Sequence, residues 1–249
     1  MPTEKIIKLI FGKRGSGKSF LAAHMLDQHD RFIVFDTLHE YRNGIVFDDR
    51  FLLARFWRER YRADKFKLIY RPTQPTEEEA IISEWAWLCG DLCYLVEEID
   101  NYCTSYKPTS EFFSHIIQRG RHKNITLIGV TQRPYGIPRI LTSQAKEICI
   151  FRTNEPRDRE YLKALLGQEI EAALDSLGQY EFLRWKDESE KFEICKIESG
   201  EIVIRGQDEE GCREGTRGRT LVGDQAADES AQVLDQSADG SSSGEPRDK

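Results

Sequence analysis

The chain has 249 residues, enough to bury a full core, with 32% charged side chains and a formal net charge of −7. Residues 206–249 hold eleven Asp and Glu against five Lys and Arg and so carry six of the seven net charges, which leaves the rest near neutral and open to a polyanionic partner. No apolar run reaches the ~20 residues of a membrane span or forms a secretory leader, so the expectation is a soluble intracellular protein.

Residues 5–11 form an apolar run that stops at Gly12, the pattern of a buried strand, and residues 19–27 have helical spacing. Strands are expected over 31–36, 66–70, 92–96, 125–131 and 147–152. A helix is expected from an N-cap at Thr76, with acids in its first turn and Trp85, Trp87 and Leu88 on its apolar face. Further helices are expected over 110–119, 156–166 and 169–177, the last two separated by Gly167. QYEFLRW and KFEICKI around a charged turn read as a hairpin. Aliphatic strands alternating with helices predict an α/β fold whose mainly parallel sheet is covered on both faces. Residues 1–205 are expected to be one domain, and residues 206–249, rich in Gly, Ser, Asp, Glu and Gln, a disordered tail. The six cysteines lack zinc spacing and read as reduced thiols, mainly in the core.

GKRGSGKS, residues 12–19, fits G-x-x-x-x-G-K-[ST] in full and lies between a predicted strand and a predicted helix. Such a P-loop wraps phosphates with the backbone of Gly12, Lys13, Arg14, Gly15, Ser16 and Gly17, and Phe20 follows at the helix start. Lys18 would reach the β and γ phosphates of ATP, and the Ser19 hydroxyl would ligate Mg2+.

The strand 92–96 ends in two acids, Glu97 and Glu98, whose side chains should diverge by strand alternation. Glu97 would hold Mg2+ through water, and Glu98 would polarise an attacking water. A dedicated water activator argues for hydrolysis and against a small-molecule kinase. Two solvated turn residues are the plain alternative.

The order GKRGSGKS, FIVFDTLHEY, YLVEEID, QRGRHKNITLIGVTQRP resembles the FtsK/HerA superfamily of DNA-pumping ATPases over roughly residues 4–155. Asp36-Thr-Leu-His-Glu40-Tyr41 is similar to the Asp-Pro-His-Gly-Glu-Tyr of HerA-like members, with Pro and Gly replaced. The specific part is Gly120-Arg121-His122-Lys123-Asn124, an aliphatic strand, then Thr-Gln-Arg-Pro.

The resemblance implies a RecA/FtsK-like P-loop NTPase fold and ATP hydrolysis with Mg2+. It implies a γ-phosphate sensor at Gln132 and an arginine finger delivered to the neighbouring subunit by Arg121, with Arg119 as the alternative. A strand-end polar residue and a surface arginine are the plain readings of the same positions. A finger in trans implies a homo-oligomeric ring, in this family a hexamer, and the family's partner is double-stranded DNA. Candidate DNA contacts lie at 122–124, 133–139 and 61–67.

With the P-loop starting at residue 12, neither the β-barrel domain of HerA nor the membrane spans and winged helix of FtsK are expected. The compact layout is most similar to genome-packaging ATPases of tailless, membrane-containing icosahedral viruses. That implies a place in the host cytoplasm or at a virion packaging vertex, with a capsid or membrane-vertex protein as a further partner. The rivals are phage assembly ATPases of the zonular-occludens-toxin type and a regulatory NTP-binding module that moves nothing.

Overall fold

The computed structural model describes residues 6–103, 108, 110–189 and 192–205. The expected tail, 206–249, and Cys212 lie outside the described residues.

In chain order the elements are β1 Ile7–Phe11, α1 Lys18–Leu26, β2 Arg31–Phe35, β3 Ile45–Phe47, α2 Arg50–Arg60 and β4 Phe66–Tyr70. Then come α3 Pro75–Cys89, β5 Leu92–Val96, α4 Glu111–Arg119, β6 Ile125–Thr131, α5 Arg139–Thr142 and β7 Ala145–Phe151. The described chain closes with α6 Pro156–Leu166, α7 Ile170–Asp175, β8 Glu181–Lys186, β9 Phe192–Glu198 and β10 Glu201–Ile204. Ten strands form one sheet in the order β10-β9-β8-β7-β1-β6-β5-β2-β4-β3. From β7 to β3 every neighbouring pair is parallel, while β8, β9 and β10 join antiparallel.

Alternation splits the core. Leu9, Phe11, Tyr94 and Leu127 face one side, where Ile82, Phe113, Ile116, Leu162 and Leu174 of the helices cover them. Ile10, Val34, Leu95 and Ile128 face the other, under Leu21, Ala22 and Met25 of α1. Both faces are therefore buried, and the central strands are apolar throughout. Among the described residues no helix is long and apolar enough to cross a membrane.

Two expectations are revised. α3 begins at Pro75, with Gln74 before it, because the fixed φ of proline suits the first helical position. Its entry is closed from within, by Glu78 accepting from the backbone N–H of Thr73 at 3.1 Å and of Gln74 at 3.3 Å, so Thr76 is not the cap. Leu88 is 63% exposed, and the buried face of α3 instead includes Ile82 and Ala86. The predicted hairpin is present as the antiparallel pair β8 and β9, and β8 also pairs with β7 from Phe151↔Phe182 to Glu147↔Lys186, extending the main sheet. The edge strands β3 and β10 and the helix α2 are further elements, the last capped by Asp49 accepting from Phe51 and Leu52 N–H at 2.7 and 2.9 Å. Cys93, Cys103, Cys149 and Cys195 are buried and Cys89 is half-buried, and none of these five described cysteines is in a disulfide.

Candidate active site

The P-loop leaves β1 at Phe11 and enters α1 at Lys18, at the carboxyl edge of the parallel strands where open α/β sheets bind ligands. Gly12 is there because the chain passes so close to β7 that an added Cβ would stand 2.6 Å from Phe151 Cβ. Gly17 caps α1 in the left-handed region, φ 106°, with no side-chain cap. The first-turn N–H groups are thus left for a ligand. Ser16 Oγ is buried and has no hydrogen-bond partner in the protein, a polar atom that a phosphate oxygen would satisfy. The loop is folded on itself by Lys18 Nζ, which donates to the Lys13 carbonyl at 2.9 Å.

A cavity of about 550 Å³ opens over this loop, and Arg14, Gly15, Gly17, Lys18, Ser19, Phe20, Glu97, Glu98 and Gln132 all line it. The sheet order explains the meeting: β6 and β5 are the first and second neighbours of β1 on one side, so their carboxyl ends deliver Gln132 and the two acids. The expected divergence of Glu97 and Glu98 does not separate them, because the strand stops at Val96. Glu98 takes a left-handed backbone, φ 49°, at the start of a short 3-10 turn, and both carboxylates reach the same cavity.

Glu97 is 1% exposed and accepts a hydrogen bond from the Tyr41 hydroxyl at 2.5 Å. Burial pushes its carboxyl up to about 7; the Tyr41 bond and Lys18 pull it down, and Glu40 and Asp36 add to the rise. Lys18 answers in the opposite sense: burial lowers its ammonium, while Glu97, Glu40 and Glu98 oppose that. Tyr41 is itself fixed from Asp36, whose carboxylate accepts from the N–H groups of Glu40 at 3.0 Å and Tyr41 at 3.3 Å. Arg71 ties the pair together, donating to Asp36 at 3.3 Å and to the Tyr41 carbonyl at 3.0 Å.

Ser19 hydroxyl donates to Glu40, so the serine faces acids, and all the nearby donors are hard oxygens. That set fits magnesium, which is held by few protein ligands and many phosphate and water oxygens. It does not make a closed cage: among the described residues no three His, Cys, Asp or Glu side chains converge on one metal position.

Gln132 is braced at its root. The Thr131 carbonyl accepts from Gly12 N–H at 3.3 Å, and the Thr131 hydroxyl donates to Asp100 at 2.6 Å. The same hydroxyl accepts from Arg133 N–H at 2.9 Å, after which Pro134 starts a 3-10 turn. The glutamine is therefore attached through one residue to both the P-loop and the acidic segment. It also lines a second cavity of about 690 Å³ with Lys13, Arg133, Tyr135 and Arg157.

Arg119 and Arg121 are not brought to this site. Arg119 ends α4 and Arg121 lies in the turn after it, both exposed before the amino end of β6, and the seven residues of β6 separate that end from Gln132 by roughly 20 Å. Asp36, Tyr41, Arg71, Asp100 and Thr131 are site-supporting residues that motif reading did not assign. The acids and Tyr41 stood within quoted motifs; Arg71 follows a strand and carries no sequence signal.

No protein-family model matches the chain. It is 25% identical over 181 residues to the DNA packaging ATPase P9 of Enterobacteria phage PRD1, covering 71% of this chain and 77% of that protein. In structure it is similar to the genome packaging NTPase B204 of Sulfolobus turreted icosahedral virus 2 in complex with ATP-gammaS. The TM-score there is 0.64 at 21% identity, over 78% of this chain and 98% of that one. VirB4 of Thermoanaerobacter pseudethanolicus shares the fold more distantly, with a TM-score of 0.52 at 13% identity over 77% and 89% of the two chains. With its phosphate-binding loop on β1 and the glutamine-tipped β6 and acid-tipped β5 beside it, the chain is a P-loop NTPase in fold and a homologue of the phage PRD1 packaging ATPase.

Proposed function

We propose that the protein is an ATPase that drives double-stranded DNA into a viral capsid. One observation carries this reading: Lys18, Ser19, Glu97, Glu98 and Gln132 line one cavity in a homologue of a DNA packaging ATPase. The Gly12–Ser19 backbone and Lys18 bind the phosphates of ATP, and Phe20 follows at the first turn of α1. Mg2+, held by the Ser19 hydroxyl and through water by Glu97, would neutralise charge on the phosphoryl oxygens. Glu98, less buried than Glu97, polarises the attacking water. Gln132 donates its amide to the terminal phosphate and accepts from that water, which lets an uncharged group sense hydrolysis.

The rest of the reading concerns assembly. Arg121 stands too far from its own cavity to act there, which favours delivery to a neighbour in a head-to-tail ring, a hexamer by family resemblance. DNA phosphates meet the basic loop 133–139, whose Arg133 and Arg139 are exposed and continue directly from Gln132. Movement of Gln132 would in this way reach the DNA through a single turn. The motor works in the host cytoplasm or at a packaging vertex, where a capsid or membrane-vertex protein receives it, and residues 206–249 keep it soluble.

The test is ATPase rate and solution mass with and without double-stranded DNA at two salt concentrations. A ring whose turnover is raised by DNA, and less so at high salt, is expected. A monomer whose ATP turnover ignores DNA would overturn the motor.

A further inference from the structure

We infer that Tyr180 is the platform on which the base of the nucleotide stacks. The inference rests on the nucleotide reading of the P-loop cavity and adds to it a residue that neither motif nor homology assigns.

Topology fixes which way a bound nucleotide points. Glu97, Glu98 and Gln132 end β5 and β6, both on one side of β1, so the reacting phosphate lies on that side. The nucleoside must then extend across the loop towards the other side, where β7 and β8 run. Because β8 is antiparallel to β7, the residue before β8 returns to the carboxyl edge, and that residue is Tyr180. A Cβ on Gly17 would stand 3.6 Å from Tyr180 Cδ1, so the ring lies against the P-loop itself.

Two features suggest that the ring is placed there for a ligand. Tyr180 is 45% exposed and Phe20 is 42% exposed, yet both line the P-loop cavity, an unusual place to leave aromatic surface in water. Tyr180 also has a left-handed backbone, φ 60°, which a bulky residue adopts only under constraint from its surroundings. The constraint is visible: its carbonyl accepts from Ile197 N–H of β9 at 3.1 Å, and Glu181 closes the turn by accepting from Gly178 N–H at 2.7 Å. A planar base needs a face to stack on, and stacking on an aromatic ring is tolerant of base identity. The chemical class of ligand is therefore a nucleoside triphosphate recognised by its base plane.

The experiment compares two ligands, ATPγS and inorganic tripolyphosphate, by calorimetry in Mg2+ with wild-type protein, Tyr180→Asn and Tyr180→Phe. Asparagine tolerates the left-handed backbone and lacks the ring; phenylalanine keeps the ring. Tyr180→Asn should weaken ATPγS binding roughly five- to hundred-fold, the range for loss of a stacking partner, and leave tripolyphosphate within two-fold. Tyr180→Phe should restore ATPγS binding. Equal weakening of both ligands would make Tyr180 a support of the P-loop, and no weakening of either would remove it from the site; each overturns the inference alone. Wild-type protein that binds neither ligand overturns the nucleotide reading and this inference with it.

Discussion

The two ends of the central strands are built for different circumstances. At the carboxyl end β1, β5 and β6 bring Lys18, Glu97, Glu98 and Gln132 into one cavity, held by bonds from Tyr41, Thr131 and Gly12. At the amino end Arg119, the last residue of α4, and Arg121, His122 and Lys123 of the short turn after it are exposed. The first end has what one chain needs to bind a nucleotide. The second has a strong cation whose proposed target lies in another copy. On the proposed reading the ATPase site is divided, with binding built into the subunit and full catalysis reserved for the assembly.

Mutations can break or sharpen that contrast. The largest effect is expected from Arg121→Ala, a loss of about 10³-fold or more in turnover with ATPγS affinity unchanged. Mixing it with Lys18→Ala subunits should restore part of the rate, since each supplies what the other lacks. Absence of rescue, in mixtures shown by mass to contain both subunits, would return Arg121 to an ordinary surface arginine and direct attention to Arg119.

Glu98→Gln should lower turnover by about 10²- to 10⁴-fold and hold ATP bound, read by single-turnover hydrolysis and nucleotide retention. If turnover survives, the water activator is another group, with Glu97 and Glu40 next in the same cavity.

Glu97→Gln should separate function from stability. Folded, Glu97 takes up its proton near pH 7 against an ordinary value of 4.5, so between those values the folded state binds more protons and stability falls as pH rises. Without Mg2+, the glutamine variant should therefore be more stable by roughly 3 kcal/mol at pH 8, with the gain vanishing below about pH 4.5. Thermal melts across that range measure it. A flat difference with pH would mean that the carboxylate is not penalised by burial. The smallest effect is expected from Gln132→Ala: near-normal ATPγS affinity and basal turnover, but turnover that DNA no longer stimulates.

Much of this was legible in the sequence because the signals are local. A glycine-rich loop between an aliphatic strand and a helix defines its own conformation, and β4, β5, β6 and α6 were readable to the residue from apolar runs and their punctuation. The elements that escaped have weak local signals. β3 and β10 are only three and four residues long, and α2 leaves Phe51 and Leu52 exposed, which blurs its period. The diverging acids were a correct rule about strands applied one residue beyond the end of the strand.

By itself the sequence determined the P-loop, the α/β alternation and the identity of the acids and the glutamine, because backbone sterics and side-chain period act over a few residues. Only the tertiary structure decided which strand ends become neighbours, since the order β7-β1-β6-β5 depends on long-range pairing. That order placed Gln132 beside the acids, carried Arg121 away from them and returned Tyr180 to the rim of the loop. The buried state of Glu97, and with it the raised proton affinity, follows from the packing of Tyr41 and Asp36 around it, and burial is a property no stretch of sequence has alone.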